Sequence, residues 1–513
     1  NHELYCAGHF IEAAVAYYEA TGKDRLLQVV CKLVDHIDSL FGPEEGKKRG
    51  YPGHEEIELA LIKLYRVTGN KRHLRLAQFF VEERGKQPRY FELEARARGT
   101  AESDHWGRKG HAYSQAHLPL RQQETVEGHA VRAMYLFSAA ADLVQETGDE
   151  ELFSTCEKLW NNTVNRRMYI TGGIGSQAYN EGFSTDFDLP SSRAYAETCA
   201  AIGLFFWGHR MLQINPDRKY ADVMERALYN GILSGMSWEG NRFFYVNPLA
   251  VSPEVCSSRK DHEHVKPTRQ GWFTCACCPP NLARLLTSIQ HYIYSCGEEG
   301  LYVHFFADSE MKSAVGGNSV KLRQRTDYPW NGRVQLELAL EQPVEFSLAV
   351  RVPGWCQQAS VKVNGEEIGD LQAATVKGYA VLTRAWQDGD RVELDLAMPI
   401  EKVYAHPKVQ DGAGRIALQR GPVVYCLEEI DNGPDLHALV LASDPRFQLE
   451  MDPELQVPAI TAQGYRLEAA ADELYTRVPP RSVPVTIRAV PYFTWDNRRQ
   501  GEMLVWLRSA GEA

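Results

Sequence analysis

The sequence predicts a multidomain chain of α and β structure, in which an (α/α)6 barrel, incomplete at its N-terminal end, is followed by two β-sandwich domains. Three observations predict this order. Helix-turn-helix repeats fill residues 1–298. Short segments of alternating apolar and polar residues occupy 299–400, and a second β-rich stretch occupies 401–513. Because helices and half-buried strands have different apolar periods, each change of pattern predicts a change of fold.

The helical part contains a repeated sequence pattern. A Thr-Gly pair stands at 21–22, 68–69 and 147–148, each time between an apolar run of helical period and a short polar turn that leads into a second such run. Glycine readily takes the left-handed conformation that ends many helices. Each copy of the pattern therefore predicts a helical hairpin. A weaker fourth copy has its turn at residues 215–217.

The helix count predicts an incomplete ring. The runs amount to about nine long helices before residue 298, the last of them over about 280–295. Six hairpins close an α/α toroid, so we expect about three helices of the natural protein to precede Asn1. An open helical array would give the same repeats. The chain also begins in a helix-like run without an initiator Met, so a signal peptide upstream stays open.

Beyond residue 298 the segments are short and are separated by Gly, Asn-Gly and Pro turns. Examples are RVQLELAL, EFSLAVRVPGW, ASVKVNG and RVELDLAM. Such alternation is typical of an antiparallel sandwich, because one face of each strand is buried. The stretch from residue 401 through RIALQRGPVVYCLE to GEMLVWLR predicts a second sandwich.

Composition excludes several classes of function. The 56 Lys and Arg against 67 Asp and Glu give a net charge of -11, and no long basic run occurs, so no nucleic-acid partner is expected. No run of about eighteen apolar residues occurs, so no membrane-spanning helix is expected. Eleven cysteines scattered over 513 residues do not resemble a small disulfide-rich domain. They favour a reducing, cytoplasmic location.

Three thiols crowd the segment WFTCACCPPNLARLL, at positions 275, 277 and 278. Clustered cysteines can be buried apolar side chains, disulfide partners or ligands of a structural zinc ion. A residue before proline is biased away from helical dihedral angles, while Pro279-Pro280 suits a first helical turn. Cys277 and Cys278 are therefore predicted at a helix N-terminus, where the helix dipole favours thiolates.

Further candidate metal ligands lie in RAYAETCA, where Glu197 and Cys199 are near the start of a predicted helix. Residues two apart on a regular helix point in nearly opposite directions, so one ion can bind both only where the backbone is still extended or turning. Three thiolates and a carboxylate are a suitable tetrahedral set for zinc. Four protein ligands leave no position for a bound water, so a purely structural zinc is the plain alternative.

Polar residues near predicted helix starts suggest a binding rim. His2, His54 and His129 each open or nearly open a helix, and Glu181 lies in a loop rich in Gly, Ser and Asn. Taken singly, each histidine fits a capping or core role better than a ligand role. Taken together, they supply the neutral donors and acceptors that a sugar pocket needs beside apolar ring faces. The candidate ring faces, which would also fit core positions, are Trp106, Trp272 and Tyr245.

Seven motifs spread over essentially the whole chain carry a family resemblance. They are HELYCAGHFIEAA at 2–14, GGIGS at 172–176, DLPSSRAYAETCA at 188–200, ERALYNGILSGMS at 225–237, FFYVNPL at 243–249, CACCPPNLARLL at 275–286 and WDNRRQGEMLVWL at 495–507. Together they resemble glycoside hydrolase family 127, the β-L-arabinofuranosidases. The resemblance implies an (α/α)6 catalytic barrel, two following β-sandwich domains and further helices before the first motif.

The resemblance also implies an activity and residue roles. The expected enzyme is a retaining exo-glycosidase that releases L-arabinose from β-L-arabinofuranosides. Cys277 would be the nucleophile and Glu181 the general acid/base, and no role carries over to Cys275. The expected cofactor, Zn2+, would be held by Glu197, Cys199, Cys277 and Cys278. The positions that match sugar-binding residues are His2, His54, His129 and Tyr245.

The implied partners are a small L-arabinofuranosyl oligosaccharide or glycoconjugate substrate and a second copy of the chain, in a homodimer formed through the β domains. Neither the aglycone nor the linkage follows from the sequence. Two other classes stay open. One is a different carbohydrate-active enzyme on an α/α barrel, namely a lyase, an epimerase or a two-carboxylate hydrolase. The other is a non-catalytic carbohydrate-binding protein with a structural zinc.

The expected mechanism puts a thiolate where most retaining glycosidases have a carboxylate. An ordinary thiol is mostly protonated at neutral pH, so zinc and the helix terminus would keep Cys277 ionised. Attack on the anomeric carbon while Glu181 protonates the leaving oxygen, and then hydrolysis, would retain the configuration. The next acid/base candidates are Glu124, Glu127 and Asp186.

Overall fold

The computed structural model describes residues 2–100, 110–297 and 300–511, so Trp106 lies outside the described residues. The chain divides into two compact units. The first unit consists of Asn1–Met168, Ile174–Asp188 and Tyr195–Ile214, and the second of Tyr169–Gly173, Leu189–Ala194 and Asn215–Ala513. In the described part of the chain, no helix has the length and apolarity needed to cross a bilayer.

The first unit is helical. Its α-helices are α1 (Glu3–Thr21), α2 (Arg25–Leu40), α3 (Ile57–Thr68), α4 (Lys71–Glu83), α5 (Tyr90–Arg98), α6 (Ala130–Thr147), α7 (Glu150–Arg166) and α8 (Thr198–Ile214). The three predicted Thr-Gly turns are confirmed, because Gly22, Gly69 and Gly148 follow α1, α3 and α6 with φ of 68°, 68° and 69°. Residues other than glycine rarely adopt this left-handed conformation.

One helix from each hairpin belongs to a continuous row. Helix α1 packs against α3, α3 against α6, and α6 against α8. The second helix of each hairpin packs against its own partner in that row, α2 on α1, α4 on α3 and α7 on α6. The row helices begin at the same end of the unit and so run parallel, because residues just before them, His2, His54, His129 and Glu197, lie close together. Residues 130–144 of α6 are all buried, as a helix with neighbours on all sides requires.

The helices of the second unit are α9 (Arg218–Arg226), α10 (Pro253–Ser258), α11 (Cys278–Thr287) and α12 (Glu429–Asn432), and α9 runs on into a π-helical turn over Ala227–Ile232. The predicted helix over about 280–295 is wrong in its second half. Helix α11 ends at Thr287, a short 3₁₀ turn follows, and the chain then enters a strand. Pairing of Tyr294 with Val303 determines this outcome, and an aromatic, β-branched stretch favours it.

Two sheets of the second unit share one apolar core. The five-stranded sheet contains β2 (Tyr294–Cys296), β3 (Gly300–Val303), β7 (Val344–Arg351), β10 (Thr375–Val376) and β11 (Tyr379–Trp386). The six-stranded sheet contains β4 (Ser309–Val315), β5 (Asn318–Thr326), β6 (Arg333–Leu340), β8 (Ala359–Val363), β9 (Glu366–Glu367) and β12 (Arg391–Leu396). Leu348 and Trp386 of the first sheet lie in the same core as Leu338 and Leu394 of the second. This arrangement is a β-sandwich.

The remaining sheet closes on itself. Its strands are β1 (Ala250–Val251), β13 (Ile400–Tyr404), β14 (Arg415–Arg420), β15 (Val423–Glu428), β16 (Leu439–Leu441), β17 (Gln448–Met451), β18 (Pro458–Glu468), β19 (Arg481–Pro491), β20 (Met503–Leu504) and β21 (Leu507–Ser509). Strand order β15-β19-β18-β16-β21-β14 ends on a strand that also pairs with β15, so six strands form a closed barrel. The sequence predicted a second sandwich here. Alternation specifies which face of a strand is buried, and sandwiches and barrels share it.

A buried ion-pair network lies in the second unit between α9 and β7. Arg351, at 0% exposure, pairs with Glu225 and, at 2.6 Å, with Asp222. The Glu225 carboxylate also accepts hydrogen bonds from the Tyr328 hydroxyl at 2.6 Å and the Trp355 indole N–H at 3.1 Å. The buried carboxylate of Glu225 therefore depends on donors from the protein itself.

Arg351→Met should lower the midpoint of thermal unfolding by at least about 5 °C, because removing one partner of a buried pair leaves an uncompensated charge that costs about 3–5 kcal/mol. The matched control is Arg323→Met, whose partner Glu310 is exposed. The control should shift the midpoint by at most about 1 °C, since exposed pairs contribute little. Equal shifts in the two variants, measured by circular dichroism, would contradict the argument.

Candidate functional site

The structure brings the three predicted rim histidines together at the end of the first unit where the row helices begin. His2 and His129 immediately precede α1 and α6, and His54 lies three residues before α3. The ring centroids of His2 and His54 are 6.1 Å apart, and those of His54 and His129 are 5.5 Å apart. Three residues distant in sequence therefore form one cluster, because parallel packed helices bring their first turns to one level.

His54 is a neutral hydrogen-bond acceptor. Its Nδ1 lies 2.8 Å from the backbone carbonyl of Glu55. A carbonyl only accepts, so Nδ1 carries the proton and Nε2 presents a lone pair. Burial, reinforced by the Arg132 guanidinium, holds the pKa of His54 well below its ordinary value.

His129 is the complementary donor. The backbone N–H of Arg132 donates to its Nδ1 at 3.4 Å, so the neutral ring carries its proton on Nε2. That nitrogen lies 3.3 Å from Oε2 of Glu181. The two neighbouring histidines thus hold opposite tautomers, and His129 orients the carboxylate of the predicted acid/base.

Arg132 is a residue that the sequence reasoning missed. Its guanidinium is buried, donates to the carbonyl of Gly53 at 2.5 Å and stacks 4.2 Å from the ring centroid of Tyr113. Burial, and then the charge of Arg132, also lower the pKa of His2. The sequence signal that could have identified Arg132 is its position as a single arginine in the otherwise apolar run at the start of α6.

Glu181 lies on a turn, as predicted, with φ of 52°. The turn is fastened to the start of α6, because the backbone N–H of Ala130 donates to the carbonyl of Glu181 at 3.1 Å. Gly182 is required there, since a Cβ would lie 1.8 Å from the carbonyl oxygen of Gly128. The carboxylate is partly exposed, at 31%, and so remains accessible to a substrate.

Glu197 and Cys199 lie where the chain turns into α8. Ala196 has φ of 37°, its N–H donates to the carbonyl of Gly175 at 2.8 Å, and α8 begins at Thr198. The predicted turning backbone at this junction is confirmed, and both side chains are buried. One ligand atom from each of His129, Glu181 and Glu197 lies within 4.8 Å of the others. Two carboxylates and an imidazole therefore converge in the first unit.

In the second unit, Cys277 occupies the N-cap position of α11 and Cys278 is its first residue, so the predicted helix terminus is confirmed. Their Sγ atoms are 3.7 Å apart. The Tyr245 hydroxyl lies 3.3 Å from Sγ of Cys277 and 3.7 Å from Sγ of Cys275. Hydrogen bonding with Cys277, and then burial, raise the pKa of the Cys275 thiol. Trp272 is 66% exposed, so it is not a core residue.

Each unit holds two of the four predicted metal ligands. Glu197 and Cys199 are buried at the start of α8 in the first unit. In the second unit, at the start of α11, Cys278 is buried and Cys277 is partly exposed. The Cys-x-x-Cys spacing pairs Cys275 with Cys278, but Cys275 is not among the predicted ligands. A set of three sulfurs and one oxygen suits a soft divalent cation.

The reserve acid/base candidates are engaged in ion pairs. Asp186 pairs with Arg167 at 2.7 Å and Arg166 at 3.0 Å. Glu127 pairs with Arg167 at 3.3 Å, and the exposed Glu124 pairs with Lys158. None of the three belongs to the group of converging carboxylates in the described residues, which favours Glu181.

Three family models match the chain end to end. They are the β-L-arabinofuranosidase GH127 catalytic domain over residues 1–291, the GH127 middle domain over 300–398, and the glycoside hydrolase family 127 C-terminal domain over 400–508.

Characterised and solved relatives resemble nearly the whole chain. A non-reducing end β-L-arabinofuranosidase of Bifidobacterium longum subsp. longum is 39% identical, over 99% of this chain and 79% of the relative. The crystal structure of a GH127 β-L-arabinofuranosidase from Geobacillus stearothermophilus T6 is 53% identical, with a TM-score of 0.97 over 99% of this chain and 80% of that chain. A further GH127 β-arabinofuranosidase structure is 36% identical, with a TM-score of 0.87 over 99% and 77%.

Proposed function

The chain belongs to glycoside hydrolase family 127, and on that premise we propose that it hydrolyses non-reducing-end β-L-arabinofuranosides with retention of configuration. One observation carries the proposal. Glu181 lies in one close group with His129 and Glu197, so a carboxyl group is held where a proton donor is needed. Cys277, at the N-terminus of α11, is the candidate nucleophile. A nucleophile and a proton donor are the two groups that a retaining glycosidase needs.

We propose Zn2+ as the ion held by Glu197, Cys199, Cys277 and Cys278. In a tetrahedral site with Zn–S bonds of about 2.3 Å, two sulfurs lie about 3.8 Å apart. The Sγ atoms of Cys277 and Cys278 are 3.7 Å apart, which fits. When bound, zinc supplies positive charge that keeps thiols ionised at neutral pH.

The protein's own groups would carry the two displacements. Cys277 Sγ attacks the anomeric carbon, and Glu181 gives its proton to the leaving oxygen as the glycosidic bond breaks. Glu181 then takes a proton from a water molecule, which displaces the sulfur and releases the sugar. Two inversions leave the configuration unchanged. His129 donates to Glu181 throughout, and the Tyr245 hydroxyl lies within reach of the attacking sulfur.

Recognition of the sugar is proposed for the rim histidines and Tyr245. Nε2 of His54 accepts from a hydroxyl group, and the N–H of His129 donates. Neutral imidazoles distinguish hydroxyl geometry without attracting counter-ions, and burial keeps His2 and His54 neutral.

The finer architecture is also a proposal. The parallel row α1, α3, α6 and α8, each with its outer partner where described, supports an (α/α)6 barrel. The ranges of the three family models support domains at 1–298, 299–400 and 401–513. A homodimer and a cytoplasmic location stay predictions.

A two-carboxylate mechanism is the competing proposal. Glu181 and Glu197 each contribute an oxygen to one group within 4.8 Å, close to the spacing of about 5 Å that retaining carboxylate pairs have. In that case Glu197 would attack and Cys277 would only support the site. The two mechanisms differ in their dependence on the thiol.

The activity itself is tested by proton NMR of the first sugar released from 4-nitrophenyl β-L-arabinofuranoside. The expected first product is the β anomer, because two displacements retain the configuration. Panels of α-L-arabinofuranosides and L-arabinopyranosides serve as controls and should not turn over. Initial release of the α anomer, or activity confined to the control panel, would overturn the proposed reaction.

Replacement of the acid/base should affect substrates according to their leaving groups. Glu181→Gln should slow hydrolysis of an alkyl or sugar aglycone by about 100-fold or more, and that of a nitrophenyl glycoside far less in the first step, because nitrophenolate needs little protonation. Added azide should restore the second step. Glu127→Gln is the matched control and should leave kcat nearly unchanged. A uniform loss across leaving groups without azide rescue would assign the role elsewhere.

Serine variants separate attack from metal binding. Cys277→Ser should lose nearly all turnover while keeping the thermal unfolding midpoint, because an alcohol is hardly ionised at neutral pH. Cys199→Ser and Cys278→Ser should regain part of their activity when zinc is in excess. Cys275→Ser is the control and should change little. Substantial turnover by Cys277→Ser would favour the two-carboxylate mechanism.

A further inference from the structure

A cavity in the second unit is lined by none of the proposed metal ligands. Its volume is about 220 Å³. Part of the wall is apolar and is formed by Ala250 and Val251 of β1 and Val255 of α10. The remaining lining residues carry polar side chains and are Ser192, Ser252, Cys256, Arg259, His262 and His437. A small pocket with an apolar wall and a few polar groups is typical of a ligand site.

Two of the lining residues, Ser192 and His262, form a hydrogen-bonded relay with the neighbouring Asp261. Oγ of Ser192 lies 3.3 Å from Nε2 of His262, and Nδ1 of the same ring lies 3.1 Å from Oδ1 of Asp261. An ionised carboxylate only accepts, so Nδ1 carries the proton and Nε2 accepts from the serine hydroxyl. His262 is buried, which fixes the ring between its two partners.

Asp261 is kept ionised by a fork of two hydrogen bonds. Nε and Nη2 of Arg259 donate to its two oxygens at 2.9 and 2.6 Å. These bonds from Arg259, and then the contact with His262, hold the pKa of Asp261 below its ordinary value. The carboxylate therefore stays an acceptor for the imidazole across the neutral range.

The backbone beside the serine offers donors. Among the described residues, neither the N–H of Ser192 nor that of Arg193 has a hydrogen-bond partner. Backbone N–H groups of the nucleophile and of its neighbours are the usual donors to the oxyanion of a tetrahedral intermediate.

We propose that Ser192, His262 and Asp261 form a second reactive centre, which hydrolyses carboxylic esters with a short acyl chain. Ser192 Oγ attacks the carbonyl carbon, and its proton passes to Nε2 of His262. The ester C–O bond breaks, the proton moves to the leaving alcohol oxygen, and the acyl group stays on Ser192. A water molecule then gives a proton to Nε2 of His262 and attacks the acyl carbon. The bond between that carbon and Ser192 Oγ breaks, the proton returns from His262 to Oγ, and the carboxylic acid is released.

The size and walls of the cavity select the acyl group. Ala250, Val251 and Val255 suit a chain of a few carbons, such as acetyl or butyryl. Cys256 lines the same space, but the hydrogen bond to the base His262 is made by Ser192, which makes the serine the nucleophile of this proposal. This centre is independent of the proposed glycosidase site, because they share no residue.

Labelling with a fluorophosphonate, which phosphonylates activated serines with loss of fluoride, tests the proposal on the full chain. Peptide mass spectrometry should find the label on Ser192, and Ser192→Ala and His262→Gln should lose it. Ser252→Ala is the matched control, because Ser252 lines the same cavity but is not part of the proposed relay, and it should keep the label. Label on another residue, or none on folded protein, would overturn the proposal.

Two kinetic readouts complete the test. In a Cys277→Ser background, which removes the thiol as a competing acyl acceptor, adding Ser192→Ala should lower turnover of 4-nitrophenyl acetate and butyrate by at least about 100-fold. Asp261→Asn, which removes the charge that orients His262, should slow labelling and move its half-maximal pH downward, a shift that a merely structural role would not produce. Unchanged ester turnover after Ser192→Ala would contradict the inference, and glycosidase activity of the single Ser192→Ala variant is its folding control.

Discussion

The parallel row of helices in the first unit is the constraint on which the site depends. Helices α1, α3, α6 and α8 pack side by side in that order, and each returns to the same end of the unit to begin. Their first turns therefore meet at one level. Residues far apart in sequence, from His2 to Glu197, become neighbours without any long loop having to hold them.

At that end of the row, hydrogen bonds with the backbone determine which ring nitrogen of each histidine carries the proton. A carbonyl fixes the tautomer of His54, and a helix N–H fixes the opposite tautomer of His129. Burial beside the Arg132 guanidinium keeps His54 neutral. The result is an acceptor and a donor side by side, with Glu181 attached to the donor. Because these groups are already oriented, little reorganisation is needed when a substrate binds, and this lowers the barrier to reaction.

Local patterns were predictable from the sequence, and long-range closure was not. The glycine after α1 and the prolines after Cys278 act within one turn, so the helix end and the helix start followed directly. The prediction of a helix over 280–295 was wrong in its second half, because Tyr294 pairs with Val303 in a sheet. The pairings of β21 with β14 and with β16, which close the barrel, join segments far apart in the sequence and have no local signature either. The contact of Ser192 with His262 spans 70 residues and has no signature in either segment.

The central claim is that Glu197, Cys199, Cys277 and Cys278 hold one zinc ion in the active protein. X-ray absorption at the zinc edge, combined with metal analysis of the purified full chain, tests it most directly. The account predicts about one zinc per chain with three sulfur neighbours at about 2.3 Å and one oxygen neighbour at about 2.0–2.2 Å. Folded, active protein without zinc, or a shell of only nitrogen and oxygen, would contradict it.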